Sequence, residues 1–165
     1  MSTDRDPSVD GPCADALEAL ARRHGHVRAL AEECRRVARA LDARPGMQPL
    51  AEALCGAMHR MAALEEELLF PLARAALEAP APVELCALEH ATARTIIRQL
   101  QQTEPGSPCY GALVMALVDC VERHAQQEEQ QLFPRLRASC LDMAKLREGL
   151  DGRADGERSQ AAAPH

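Results

Sequence analysis

The chain has 165 residues and a formal net charge of -6. Its lysines and arginines are interspersed among acids, which leaves no concentrated basic face for a nucleic-acid backbone. Two phenylalanines, one tyrosine, no tryptophan and few β-branched residues, set against abundant Ala, Leu, Arg and Glu, exclude a sheet-rich fold and point to an all-α one. The length suits a single domain with a real core.

In chain order, the opening "MSTDRDPSVDGP" is polar and acidic where a secretory signal would be basic and then apolar. No apolar run approaches the length of a membrane span, so the expectation is a cytoplasmic protein with no membrane partner and a disordered tail over 1–13. Three Pro/Gly-rich turns, "ARPGMQP", "EAPAPVE" and "TEPGSP", punctuate the middle of the chain. They leave four predicted helices: Ala14–Ala43, Pro49–Leu77, Val83–Gln102 and Ser107–Leu146. Pro49 suits a first helical turn, and Ser107 can cap the helix that Pro108 begins. Short connections make neighbours antiparallel, so the predicted architecture is an up-down-up-down four-helix bundle over 14–146. The remainder, 147–165, lacks periodicity and reads as a disordered tail.

Apolar residues recur at three- and four-residue intervals on each helix. What interrupts them carries the chemistry. The first helix sets His24 between Leu20 and Val27, and the third sets His90 between Cys86 and Ile97. The inward row of the second reads Leu54, Met58, Met61, Glu65, Leu68, Leu72, and that of the fourth reads Leu117, Val121, His124, Glu128, Leu132. Residues four apart lie about 40° around a helix and about 6 Å along it, so His124 and Glu128 converge on one face. Three imidazoles and two carboxylates buried together without a cation would pay for desolvation and for repulsion between the acids. One or two divalent metals would remove both problems.

The sequence also repeats itself. "MAALEEELLFP" at 61 to 71 returns as "HAQQEEQQLFP" at 124 to 134, and "HGHVRAL" at 24 to 30 is echoed by "HATARTI" at 90 to 96 through His-x-x-x-Arg. An approximate two-fold follows, with one metal near His24 and His124, a second near His90, and Glu65 and Glu128 bridging. Glu66 and Glu129 diverge from that face and read as solvated or as partners of Arg28 and Arg94. The opposing possibility is that an arginine turns inward and replaces the metal. Phe70 and Phe133, each before a proline, read as core anchors where a helix kinks.

At this point the sequence resembles the hemerythrin-like (HHE cation-binding) proteins, through H-x-x-x-E-E-x-x-L-F-P at 124 to 134, its near-copy at 61 to 71, and coverage of roughly residues 17 to 140. The resemblance implies a bundle holding a non-haem di-iron centre, with His24, His90 and His124 as terminal ligands and Glu65 and Glu128 as bridges. The chain departs from that pattern at Met61, where the family has histidine, and a thioether is a poor ligand for iron beside carboxylates. Oxygen carriers in the family use a further histidine at the place of Arg94, which makes reversible oxygen transport the weaker expectation.

Substitutes for the missing ligand remain open. His59 precedes Met61 by two residues, about 160° away on a regular helix, and only a π-bulge would turn it inward. Cys86 and Cys120 each sit four residues before a histidine, where a thiolate would favour zinc, although a buried core thiol is the simpler account. The seven cysteines form no C-x-x-C pair and, without a signal sequence, no expected disulfide framework.

Three functions fit these residues. The first is an iron-binding bundle, with one or two ions and zinc as the other metal, that senses or handles oxygen, nitric oxide, peroxide or iron, as a stress-response protein would. The second is a di-iron oxidase or repair-type enzyme using the same ligands. The third is a metal-free thiol module in which Cys34, Cys55 and Cys120 meet near one bundle end.

Overall fold

The computed structural model describes residues 11–39 and 44–161. Helix α1 spans Gly11–Arg39 and α2 spans Arg44–Leu64, followed by a π-helical turn at Glu65–Leu69 and α3 at Phe70–Ala76. Helix α4 spans Ala81–Gln101 and α5 spans Pro108–Gln127, followed by a second π-helical turn at Glu128–Leu132 and α6 at Phe133–Arg137. Helix α7, Met143–Ala161, ends the described chain. Most of the N-terminal tail, residues 40–43 between the first two helices, and 162–165 lie outside the described residues.

The predicted four-helix bundle is present, and its second and fourth members are compound. Both π-turns end immediately before a Phe-Pro pair. Proline has no N–H to donate and its ring crowds the carbonyl four residues back, so a wider turn that bonds five residues back accommodates it. Phe70 N–H accordingly donates to the carbonyl of Glu65, and Phe133 N–H to that of Glu128. The expectation of simple kinks is corrected to these turns, with a consequence for packing. The extra residue advances the helical phase, so Leu69, Phe70 and Ala73 face the core in place of Leu68 and Leu72, which are only half-buried.

The interior is two apolar clusters rather than one. At one end, Val27, Ala31 and Cys34 of α1 pack with Ala51 to Met61 of α2, Ala93 to Leu100 of α4 and Tyr110 to Val121 of α5. At the other, Ala16 to Leu20 meet Leu64 to Ala73, Val83, Cys86 and Leu132 to Leu136. The start of each helix meets the end of the next, as antiparallel neighbours require. Burying side chains of these sizes stabilises by roughly 1.5–3 kcal/mol each, and this is what closes the bundle. Between the clusters lies the layer where all four stripes are interrupted.

Three boundaries differ from the sequence reading: helix α1 begins at Gly11, so residues 11–13, expected in the disordered tail, are helical. Helix α2 begins at Arg44, not Pro49; the proline falls in its second turn, close enough to the start to forfeit little backbone bonding. The fourth helix does not run unbroken to Leu146, because the chain turns after Arg137. There Ser139 Oγ accepts from Leu141 N–H at 3.2 Å, and Asp142 Oδ1 accepts from Lys145 N–H at 2.9 Å, capping a new helix. Ser107 caps α5 as expected, accepting from Tyr110 N–H at 3.3 Å.

The stretch read as a disordered C-terminal tail is helical through Ala161. Met143, Leu146 and Leu150 recur at three- and four-residue spacing and are buried in the second cluster. Gly149 allows a close approach to the first π-turn: a Cβ there would lie 2.9 Å from Leu68 Cδ2. Arg153 also pairs with Glu67 of that turn, though both are exposed and the pair contributes little. Among the described residues, no helix is long and apolar enough to cross a membrane.

Candidate metal centre

His24, Glu65, His90, His124 and Glu128, contributed by α1, α4, α5 and the two π-turns, are each 0% exposed and form the layer between the apolar clusters. The structure thus gathers all five residues singled out in the sequence. Glu65 is the hub. Its Oε1 lies 3.1 Å from His24 Nε2, while Oε2 lies 3.0 Å from His90 Nε2 and 3.1 Å from His124 Nε2. Glu128 Oε2 lies 3.4 Å from His24 Nε2. Ligand atoms from His24, Glu65, His124 and Glu128 all fall within 4.8 Å of one another.

The outer faces of two imidazoles are fixed in a repeated pattern. His24 Nδ1 lies 3.0 Å from Glu129 Oε1, and Arg28 Nη1 donates to both oxygens of Glu129 at 3.0 Å. His90 Nδ1 lies 3.0 Å from Glu66 Oε1, and Arg94 Nη2 donates to Glu66 Oε2 at 2.6 Å. Each pattern is a His–Glu–Arg relay built from the repeated Glu-Glu and His-x-x-x-Arg, so neither arginine turns inward to Glu65 or Glu128. A carboxylate on Nδ1 sets ring orientation and tautomer, leaving Nε2 for the interior. Sequence reasoning linked these glutamates to the arginines and missed their hold on the histidines.

Aromatic rings close the layer. Phe133 stacks on His24 with centroids 5.8 Å apart, and Phe70 stacks on His90 at 5.2 Å. The phenylalanines are therefore more than anchors of a kink, since they cover one face of each imidazole and keep water off it.

The proposed substitutes lie elsewhere. His59 is exposed, because the π-turn begins after Met61 rather than before it. Met61 is 4% exposed and belongs to the first apolar cluster. Cys120 is directed at the carbonyl and carboxylate of Glu89, 3.6 and 3.5 Å away. Burial, and then the charges of Glu128 and Glu65, push the Cys86 thiol far up, so it stays protonated beside the layer. Cys34 and Cys120 are buried in the first cluster with Cys55 packed against it, and all are free thiols.

In the metal-free chain the layer holds protons. Burial disfavours charge on His24, but the close approach of Glu128 and the hydrogen bond to Glu65, reinforced by the charges of both, push the imidazole up to about 10. Burial would lift Glu65, yet the charge and close approach of His124, and hydrogen bonds from His24 and His90, hold it well below the usual carboxylate range. Burial and then the charge of Glu65 push Glu128 up instead. Two acids of one type are thereby driven apart.

The folded pKa of His24 lies above its unfolded value, so its stabilising contribution is complete below about pH 6.5 and drains away as pH rises through about 10. Glu128, also raised, acts in the same direction. Thermal melts of the chelator-treated protein are expected to drop by roughly 10 °C between about pH 6 and about pH 10. A melting temperature independent of pH across that window would contradict this charge assignment.

A buried layer of imidazoles and carboxylates between helices has the donor set of carboxylate-rich metal-binding bundles, and four of its residues are placed to hold an ion. Comparison with known families agrees: residues 15–137 match the hemerythrin HHE cation-binding domain, and the chain belongs to that family. Searches of curated proteins and of solved structures returned no match.

Proposed function

We propose that the protein is a non-haem iron protein that senses or handles oxygen, nitric oxide or peroxide, with His24, Glu65, His90, His124 and Glu128 as its ligands. One observation carries the reading. Both side-chain nitrogens of His124 and both oxygens of Glu128 are buried without a well-aligned hydrogen-bond partner, within the same four-residue group. Unsatisfied buried polar atoms are costly, and a mixed imidazole and carboxylate set is the donor chemistry that iron accepts.

Bound there, iron supplies a Lewis-acidic, redox-active centre with positions for a small ligand. The chain's part is to orient and to exclude. Glu129 and Glu66 hold His24 and His90 by Nδ1, which points Nε2 inward. Phe133 and Phe70 shield those rings, and the apolar clusters on either side keep the layer dry. Sensing is preferred to reversible transport because two positions that serve as ligands in the oxygen carriers are otherwise engaged here. Arg94 is committed to Glu66, and Met61 is packed in the apolar core.

Anaerobic loading with ferrous iron is expected to give about one tightly held ion per chain, as four close ligands allow. The visible spectrum of the loaded protein should change on exposure to oxygen or nitric oxide. Elemental analysis finding no retained iron after loading and desalting would end the proposal, and retention without any spectral response would remove its sensing part.

A further inference from the structure

Beside the metal layer, and outside it, α1, α2 and α7 enclose a cleft of about 560 Å³. That volume falls within the range of small-molecule sites. Arg22 and Arg23 of α1, Arg60 of α2 and Arg147 of α7 line it, against a single acid, Asp151. Arg23 and Arg147 have partners of their own, which leaves Arg22 and Arg60 as the cations open to an occupant.

Asp151 is engaged within α7, both of its oxygens lying 3.0 Å from Arg147 Nε. Among the described residues, Arg22 and Arg60 make no hydrogen bond or ion pair, and both are exposed. Apart from the exposed His26, the rest of the lining is apolar, including Val27, Met61 and Leu150, with no phenylalanine or tyrosine. Guanidinium groups recognise carboxylates by paired hydrogen bonds, while a saturated floor suits a hydrocarbon chain. The α7 wall lies beyond the family match, which ends at residue 137, while the α1 and α2 walls lie within it.

We propose that this cleft binds a small organic anion, a carboxylate carrying an aliphatic body, with Arg22 and Arg60 gripping the head group and Met61 and Leu150 contacting the tail. Met61 is the floor of the cleft and stands one helical turn before Glu65, so an occupant rests against the residue that borders the metal layer. The site stands on the cleft alone and holds whether or not the layer contains metal.

The test is a titration of the full chain, labelled with carbon-13 at its methionine methyl groups, with sodium octanoate in the presence of a chelator. The Met61 methyl resonance, assigned with Met61→Leu, is expected to shift saturably with a Kd on the order of 0.1–1 mM. The double variant Arg22→Gln, Arg60→Gln changes only exposed positions and should keep its circular dichroism while losing at least about tenfold in affinity. Inorganic phosphate and octanol, which carry head and tail separately, should each bind at least about tenfold more weakly than octanoate. No saturable shift of Met61, unchanged affinity in the double variant, or equal binding of phosphate or octanol would overturn the proposal.

Discussion

Glu65→Ala is expected to abolish tight iron binding and to lower the stability of the metal-free chain by about 3 kcal/mol, a fall in melting temperature of roughly 10 °C. The reason is the position of this one carboxylate, whose two oxygens lie within 3.1 Å of Nε2 on His24, His90 and His124. Without it three buried imidazoles lose their common partner, and their protonated forms lose the charge that makes burial tolerable. In the metal-loaded protein the same change deletes the acid that touches every other helix of the layer. Glu65→Gln, which keeps the shape and removes the charge, should fold better than the alanine variant and still fail to hold iron. Elemental analysis after desalting and chelator-treated melts report the two effects separately. Iron retention by Glu65→Ala equal to that of the natural chain would mean that the layer is not the binding site.

Met61→His is expected to raise iron loading from about one ion per chain to about two, by giving the first Glu-Glu segment the leading imidazole that the second has in His124. Position 61 stands one turn before Glu65 as His124 stands one turn before Glu128, and its side chain is 4% exposed. The same substitution buries a polar ring where the first cluster is apolar, so the metal-free variant should lose about 1–3 kcal/mol. Metal should restore that loss. Met61→Leu, which keeps the apolar contact, should load iron as the natural chain does. Equal loading in Met61→His and the natural chain would show that another group already completes the site.

Much of this was legible in the sequence because repetition and periodicity agree. The two Leu-Phe-Pro segments, the two His-x-x-x-Arg segments and the interrupted stripes all select the same five residues, and each of those is fully buried. That Glu129 and Glu66 meet Arg28 and Arg94 was one of two readings the sequence left open, beside solvation, and the structure gives the pairs. The phase of Leu68 and Leu72 was not. A proline announces that a regular helix must yield, but whether it yields by bending or by widening depends on what packs around the turn.

Helix α7 was missed for a different reason. Met143, Leu146 and Leu150 are too few to stand out against a polar, glycine-containing background, and only the groove left by α1 and the first π-turn gives them somewhere to go. The grip of Glu129 and Glu66 on the imidazoles depends on side-chain direction between helices, which spacing within one helix does not encode.

The double interior has a mechanical meaning. A bundle whose oily contents are continuous yields as a unit, whereas this one is two plugs joined across a charged septum by the same four rods. Whatever occupies the septum is a rivet through all of them, so filling or emptying it adjusts how firmly the two halves are clamped. Helix α7 leans on that joint at the first widened turn, which makes the far end of the chain the natural place for the clamp to be felt.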